Sequence, residues 1–215
     1  EAMDLLRLLR EKGGDVRRAV EIAEREYAVT RDPTAKGNLA LKIAAQCRDA
    51  LEDAARATAW FERARECKAT AAAAVQALCD LYGRLDRIED QARALEQAAV
   101  RAPTAQAGAA MLERAADLAE RRLGDMGRAF ELGRAALEGL GPPEDVDLAA
   151  SAERLDRLDR TATAAGRFGE LYSLYEVHIA ASASVEARHG LYTRLVRVGV
   201  DSKAAPDDVL AIALS

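Results

Sequence analysis

The sequence predicts an all-α chain of antiparallel helix hairpins stacked in file as a solenoid, and three observations carry that expectation. The first is composition: 49 of the 215 residues are alanine, aromatics make up only 4%, and Leu, Glu, Arg and Gln supply most of the rest. Alanine is the best helix former and a weak strand residue. A core so poor in aromatics must come from closely approaching backbones. The second is a repeat. Ala57-x3-Phe61-x2-Ala64 is followed 34 residues later by Gln91-x3-Leu95-x2-Ala98, and 38 further on by Ala129-x3-Gly133-x2-Ala136. Ala19 stands 38 residues before Ala57, with Ala23 four after it. Self-similarity at such a period marks stacked supersecondary units rather than one closed globule. The third is punctuation: Gly, Pro and Asp cut the chain into about twelve helical stretches. Loops of about two to five residues between helices force antiparallel neighbours.

In chain order, the first stretch runs from Ala2 to Lys12 and stops at Gly13-Gly14. Asp15 caps a second reaching about Thr30, and Pro33 begins a third that ends near Leu51. Asp53 caps a fourth, to about Cys67, and the fifth and sixth lie on either side of Gly83-Arg84. Pro103-Thr104 opens the seventh, Gly124-Asp125 separates it from the eighth, and Gly141-Pro142-Pro143 closes that one. The ninth and tenth flank Gly166-Arg167, another begins near Ser184, and Pro206-Asp207-Asp208 starts the last. No linker or low-complexity spacer interrupts this order, so the expectation is a single domain over residues 1–215. The chain opens in helical pattern at Glu1, which suggests a piece of a larger protein.

The hairpin turns repeat as well. Gly14-Asp15-Val16-Arg17-Arg18-Ala19 parallels Glu52-Asp53-Ala54-Ala55-Arg56-Ala57 and Gly124-Asp125-Met126-Gly127-Arg128-Ala129. Aspartate there can accept the free N–H groups of the next helix and favours its positive end. Arg followed by Ala is expected to put charge outward and a small residue into the seam. The intervening unit is four residues shorter, about one helical turn. The longer units should therefore carry an extra turn in their first helix. A lone hairpin cannot bury its apolar stripe, so each must lean on the next. Phe61 should fill the gap between units.

Leu78-Cys79-x2-Tyr82, Gln91-x3-Leu95-x2-Ala98 and Pro103 lie at the intervals of the tetratricopeptide repeat, which the chain resembles over residues 15–140. The Leu-Gly-Asp turn and the 38-residue unit are similar to long bacterial arrays of that family. From 145 to 215 the likeness is weaker, Gly166-Arg167-Phe168-x-Glu170-Leu171 falling about 42 residues after its counterpart. The pattern departs from the family in its missing leading Trp, Gly133 for an aromatic, and Gln91 for a small residue. HEAT-like repeats are the competing family. The resemblance implies a right-handed superhelical solenoid of about six hairpins, with the first helix of each pair lining a concave groove.

In the third stretch Ile43, Ala44, Cys47 and Leu51 form a packing stripe, and Lys42, Gln46 and Asp49 form a separate stripe toward that groove. In the same register come Gln76, Asp80 and Arg84, then Arg114, Asp117 and Arg121. This mixed-charge wall suits an extended or helical peptide held by polar contacts. Chaperone-binding members of the family clamp a peptide carboxylate with paired asparagines. This chain has a single Asn, Asn38, so that clamp cannot be assembled.

The functional expectation is therefore a non-enzymatic scaffold for an unidentified protein or peptide. The alternative is a spacer or self-association element that dimerises through exposed terminal helices. Net charge is −5, no footprint for nucleic acid, and the 26 Arg against five Lys match the imprint of a GC-rich genome. Three cysteines without C-x-x-C spacing fit free thiols in a reducing, cytoplasmic setting, with Cys47 and Cys79 as small core residues. The sequence has no apolar run long enough to span a membrane, no phosphate loop, no nucleophile elbow and no dinucleotide fingerprint, so no cofactor is implied. His178 and His189 read as surface histidines rather than metal ligands. In the run 154–160, Asp156 falls opposite Arg160, which reads as a salt-bridged, solvated helix face. Trp60, one residue off the Ala57/Phe61/Ala64 stripe, reads as packing against a neighbouring hairpin.

Overall fold

In the computed structural model, residues 16–148 and 150–201 are described. The first and last expected stretches, and the Asp15 cap, lie outside them. Among the described residues ten α-helices follow one another: α1 (Val16–Val29), α2 (Pro33–Asp49), α3 (Ala54–Arg65), α4 (Ala71–Arg84), α5 (Ile88–Ala99), α6 (Ala105–Leu118), α7 (Met126–Glu138), α8 (Ala152–Ala165), α9 (Phe168–Ala181) and α10 (Val185–Asp201). No strand occurs among them.

Capping follows the sequence closely. Asp32, Asp53 and Asp125 each accept the N–H three residues ahead, at 2.6 Å from Ala35, 2.9 Å from Arg56 and 2.9 Å from Arg128. Thr104 does the same for Ala107 at 3.1 Å. Gly124 (φ 69°) and Gly166 (φ 68°) end their helices in the left-handed conformation that favours glycine. The extra residues of the longer units do sit in first helices. α2 has 17 residues against 14 in α4. The 14 residues of α6 continue into a five-residue π-helical turn, Ala119–Leu123.

The chain forms two compact units, one ending at Ala94 and one beginning at Leu95. In the first, α1 packs on α2, α2 on α3 and α3 on α4. Its core holds Ile43, Ala44 and Cys47 from α2 with Ala57, Phe61 and Ala64 from α3, all nearly inaccessible. Fully burying a side chain such as Ile43 is worth about 1.5–3 kcal/mol. Small residues set the spacing: a Cβ on Gly37 would stand 2.7 Å from Cys67 Cβ and 2.6 Å from Thr70 Oγ1. Trp60 packs as expected. It is 5% exposed, meets Tyr27 edge-on at 4.9 Å, and its Nε1–H donates to Glu24 at 3.0 Å.

In the second unit α6 packs on α7, α7 on α8, α8 on α9 and α9 on α10, and α8 also meets α10. Sequential neighbours in contact are what an array of hairpins requires. Phe130, Leu158, Leu171, Tyr175 and Leu195 anchor one core that α7 to α10 share. Gly133 stands in place of an aromatic because the space is already filled: a Cβ there would lie 3.2 Å from Leu158 Cδ2.

Candidate functional site

The residues expected to line a groove fall in both units. In the first, α2 turns Ile43, Ala44 and Cys47 inward and leaves Lys42 and Asp49 exposed with Gln46 half-buried. α4 buries Val75, Leu78 and Cys79 and exposes Gln76, Asp80 and Arg84. The polar stripe is partly self-paired. Gln76 Nε2 donates to Asp80 Oδ1 at 3.2 Å. Arg48, which the sequence reading passed over, forks onto Asp49 at 2.7 and 3.0 Å and lies 5.6 Å over the Phe61 ring. Its pKa is raised by the Asp49 hydrogen bond, with the charge of Asp80 acting in the same direction.

The second unit differs. Arg114 and Arg121 are exposed on α6 and its π-turn. Asp117, however, is held by Arg157 of α8 at 3.3 Å and by Arg121 at 3.0 Å. Its neighbours are engaged in the same way. Glu113 accepts from Arg154, and Glu120 accepts from Arg160 at 2.6 and 3.1 Å. The Arg160 hydrogen bond, helped by the charges of Arg157 and Arg121, holds the Glu120 carboxyl below its ordinary range against the opposing effect of burial.

This corrects the reading of the 154–160 run. Its charges do not pair within one solvated face, Asp156 with Arg160. They reach other helices. Asp156 takes Arg194 of α10 at 2.6 Å. Asp159, only 4% exposed, receives the Tyr175 hydroxyl, Arg194 Nη1 and Arg197 Nη2, each at 2.7 Å. Burial and the adjacent Asp159 carboxylate push the Tyr175 phenol well above its usual pKa.

The turn arginines need the same correction. Arg56 and Arg128 do not simply point outward. Arg56 reaches Glu24 on α1 at 2.8 Å, and Arg128 reaches Glu96 on α5 at 2.7 Å. Each pair is separated by 32 residues. That shared separation, with Glu24 following Ala23 and Glu96 following Leu95, is the signal that could have exposed the pairing in the sequence.

His178 is also corrected. It is 2% exposed on α9 rather than a surface residue, whereas His189 is exposed. Burial lowers the His178 pKa, and a hydrogen bond to the Pro143 backbone and the charge of Glu138 pull it the other way. Cys47 and Cys79 are buried as expected, with Cys67 half-buried, and all three are free thiols.

Among the described residues, no group of three or more His, Cys, Asp or Glu could hold a metal ion. No described helix is long and apolar enough to cross a membrane. Set against known proteins, the chain matches no family model and no curated relative.

Proposed function

We propose that this chain is a non-enzymatic interaction scaffold of the tetratricopeptide type. The reading is of a right-handed superhelical array of about six hairpins that presents a polar groove to a peptide or protein in a reducing, cytoplasmic setting. One observation carries it: in the first unit α2 and α4 each bury an apolar stripe and leave Lys42, Gln76, Asp80 and Arg84 exposed in successive first-helix positions. Side chains of both signs, spaced along two neighbouring helices, suit a peptide held by polar contacts. The peptide surface is then centred on Lys42, Gln46, Asp49, Gln76, Asp80 and Arg84 of the first unit.

Asp117 fits the alternative reading, in which part of the chain is a spacer. Its carboxylate is committed to Arg157 and Arg121, and so belongs to the helix-to-helix packing.

The test combines Lys42→Ala, Gln46→Ala and Asp49→Ala in one variant. All three lie outside the buried stripe of α2, so the melting temperature should stay within a degree or two (about 0.5 kcal/mol of stability). Partners that co-purify with the unaltered chain should be lost. Unchanged capture would reject the groove, and dimerisation in light scattering without any captured partner would favour the spacer.

A further inference from the structure

In the second unit the acids and arginines that join α6, α8 and α10 are layered by exposure. The inner layer is carboxylate. Glu120 and Asp159 are almost inaccessible, and both oxygens of each already accept hydrogen bonds. The outer layer is guanidinium: Arg121, Arg160 and Arg197 are each more than half exposed. These three stand side by side. Arg160 of α8 is held on Glu120, the residue next to Arg121 in the π-turn after α6. Arg197 of α10 is held on Asp159, the residue next to Arg160.

Each guanidinium has donors left over. Arginine carries five N–H groups and no acceptor. Arg160 uses Nε and Nη2 on Glu120 at 2.6 and 3.1 Å. Arg197 uses Nη2 on Asp159 at 2.7 Å, and Arg121 uses Nε on Asp117 at 3.0 Å. In all three, Nη1 has no partner among the described residues. What the row offers to a partner is therefore cationic and donor-only, in a chain whose net charge is −5.

Spacing narrows the choice of anion. Neighbouring helices lie about 8–10 Å apart, so successive guanidiniums of the row are separated by about that distance. Three residues of extended chain cover the same length at roughly 3.3 Å each. Carboxylates repeated at every third residue therefore meet the row in register, through charge-assisted hydrogen bonds. Asp156 and Asp201, both exposed, stand one turn from Arg160 and Arg197 on their helices and confine an anionic chain to the row. Nucleic acid fits less well. The one aromatic of α6, α8 and α10 is Tyr192, half-buried against the core and poorly placed for base stacking, and the overall negative charge repels a phosphate backbone.

We propose that this row docks an extended acidic segment of a partner protein, its carboxylates three residues apart and seated on Arg121, Arg160 and Arg197. Clustered arginines are a recurrent means of reading acidic motifs. The row uses no residue of the first unit's polar stripe, so the two surfaces stand or fall separately.

The probe is the peptide Glu-Gly-Ser-Glu-Gly-Ser-Glu, dye-capped at one end and amidated at the other, followed by fluorescence anisotropy with the whole chain. It should bind saturably at about millimolar concentration or below in about 20 mM salt, and about tenfold more weakly in about 0.5 M salt. The same peptide with glutamine for glutamate should not bind. Combined Arg160→Gln and Arg197→Gln should weaken binding by about tenfold or more, with folding checked by circular dichroism. Should that pair unfold, Arg121→Gln decides instead, since Asp117 keeps Arg157 at 3.3 Å, and it should weaken binding about threefold. The variant altered at Lys42, Gln46 and Asp49 should bind the peptide as the unaltered chain does. The proposal is overturned by no saturable binding up to about 10 mM peptide, by equal binding of the glutamine version, or by undiminished binding in folded arginine variants. Loss of binding in the first-unit variant, or tighter binding of a single-stranded oligonucleotide of equal charge, would overturn it too.

Discussion

Asp159→Ala removes the one acceptor on which three donors converge, and its cost can be worked out contact by contact. The Tyr175 hydroxyl is wholly buried and the Arg194 side chain is 20% exposed. Hydrogen bonds to a charged partner are worth about 1.5–3 kcal/mol each in such surroundings. Arg197 is 57% exposed, so its share is discounted for solvent to about 0.5 kcal/mol. Arg194 keeps Asp156 at 2.6 Å, which limits the damage. The expected loss is about 3–4 kcal/mol, within the range for breaking a buried ion pair on one side. Asp159→Asn keeps the volume and an acceptor for Tyr175, and should cost about half as much. The assay is urea denaturation followed by circular dichroism, at low ionic strength and again in 1 M salt, where the screening length falls to about 3 Å. Most of the loss should persist in salt because the carboxylate is buried. A loss below about 1 kcal/mol, or one that vanishes in salt, would show that the cluster is a surface ion pair with no structural weight.

Three further outcomes follow from the packing. Phe61→Ala should cost about 3–5 kcal/mol in the same denaturation, since the ring is 3% exposed. The folded His178 takes its proton below the ordinary value of 6.5, so the unfolded chain binds more protons in that window. Stability is then full above about pH 6.5 and declines as the pH falls toward the folded value, and His178→Gln should remove that part of the difference between urea midpoints at about pH 7.5 and pH 5. Burial pushes the Cys47 thiol up to about 11, with the Arg56 charge opposing it. A thiol reagent should therefore label half-buried Cys67 first, and rapid native labelling of Cys47 or Cys79 would contradict their core placement.

Helix boundaries were legible because local chemistry decides them. Asp53 and Asp125 cap through their own side chains, and Gly124 and Gly166 end helices in a conformation that other residues avoid. The Ala57/Phe61/Ala64 stripe was legible for the same reason, its spacing being a property of one helix. What stayed hidden depends on other helices. Arg160 stands four residues after Asp156 in the same run, a pattern that also fits ordinary i,i+4 pairing. Only the approach of α6 and its π-turn takes Arg160 away, and only that of α10 takes Asp156. His178 stands at i+7 from Leu171, on the face that Leu174 and Tyr175 also share, so the spacing held the signal, and the polar character of the ring masked it. The candidate groove shows the same division. Lys42 and Gln76 could be placed on outward faces from sequence, but the capture of Asp117 by Arg157 could not.

Glu113, Asp117 and Glu120 meet arginines of α8, and Asp156 and Asp159 meet arginines of α10. In each case the acid precedes its arginine in the chain and lies two helices back. The pairing is directional, so the segments of this unit are not interchangeable bricks. Exchanging α8 with α10 would leave Asp156 and Asp159 with no following helix, among those described, to supply their arginines. The order of the segments is thus encoded in charge, independently of the loops that join them.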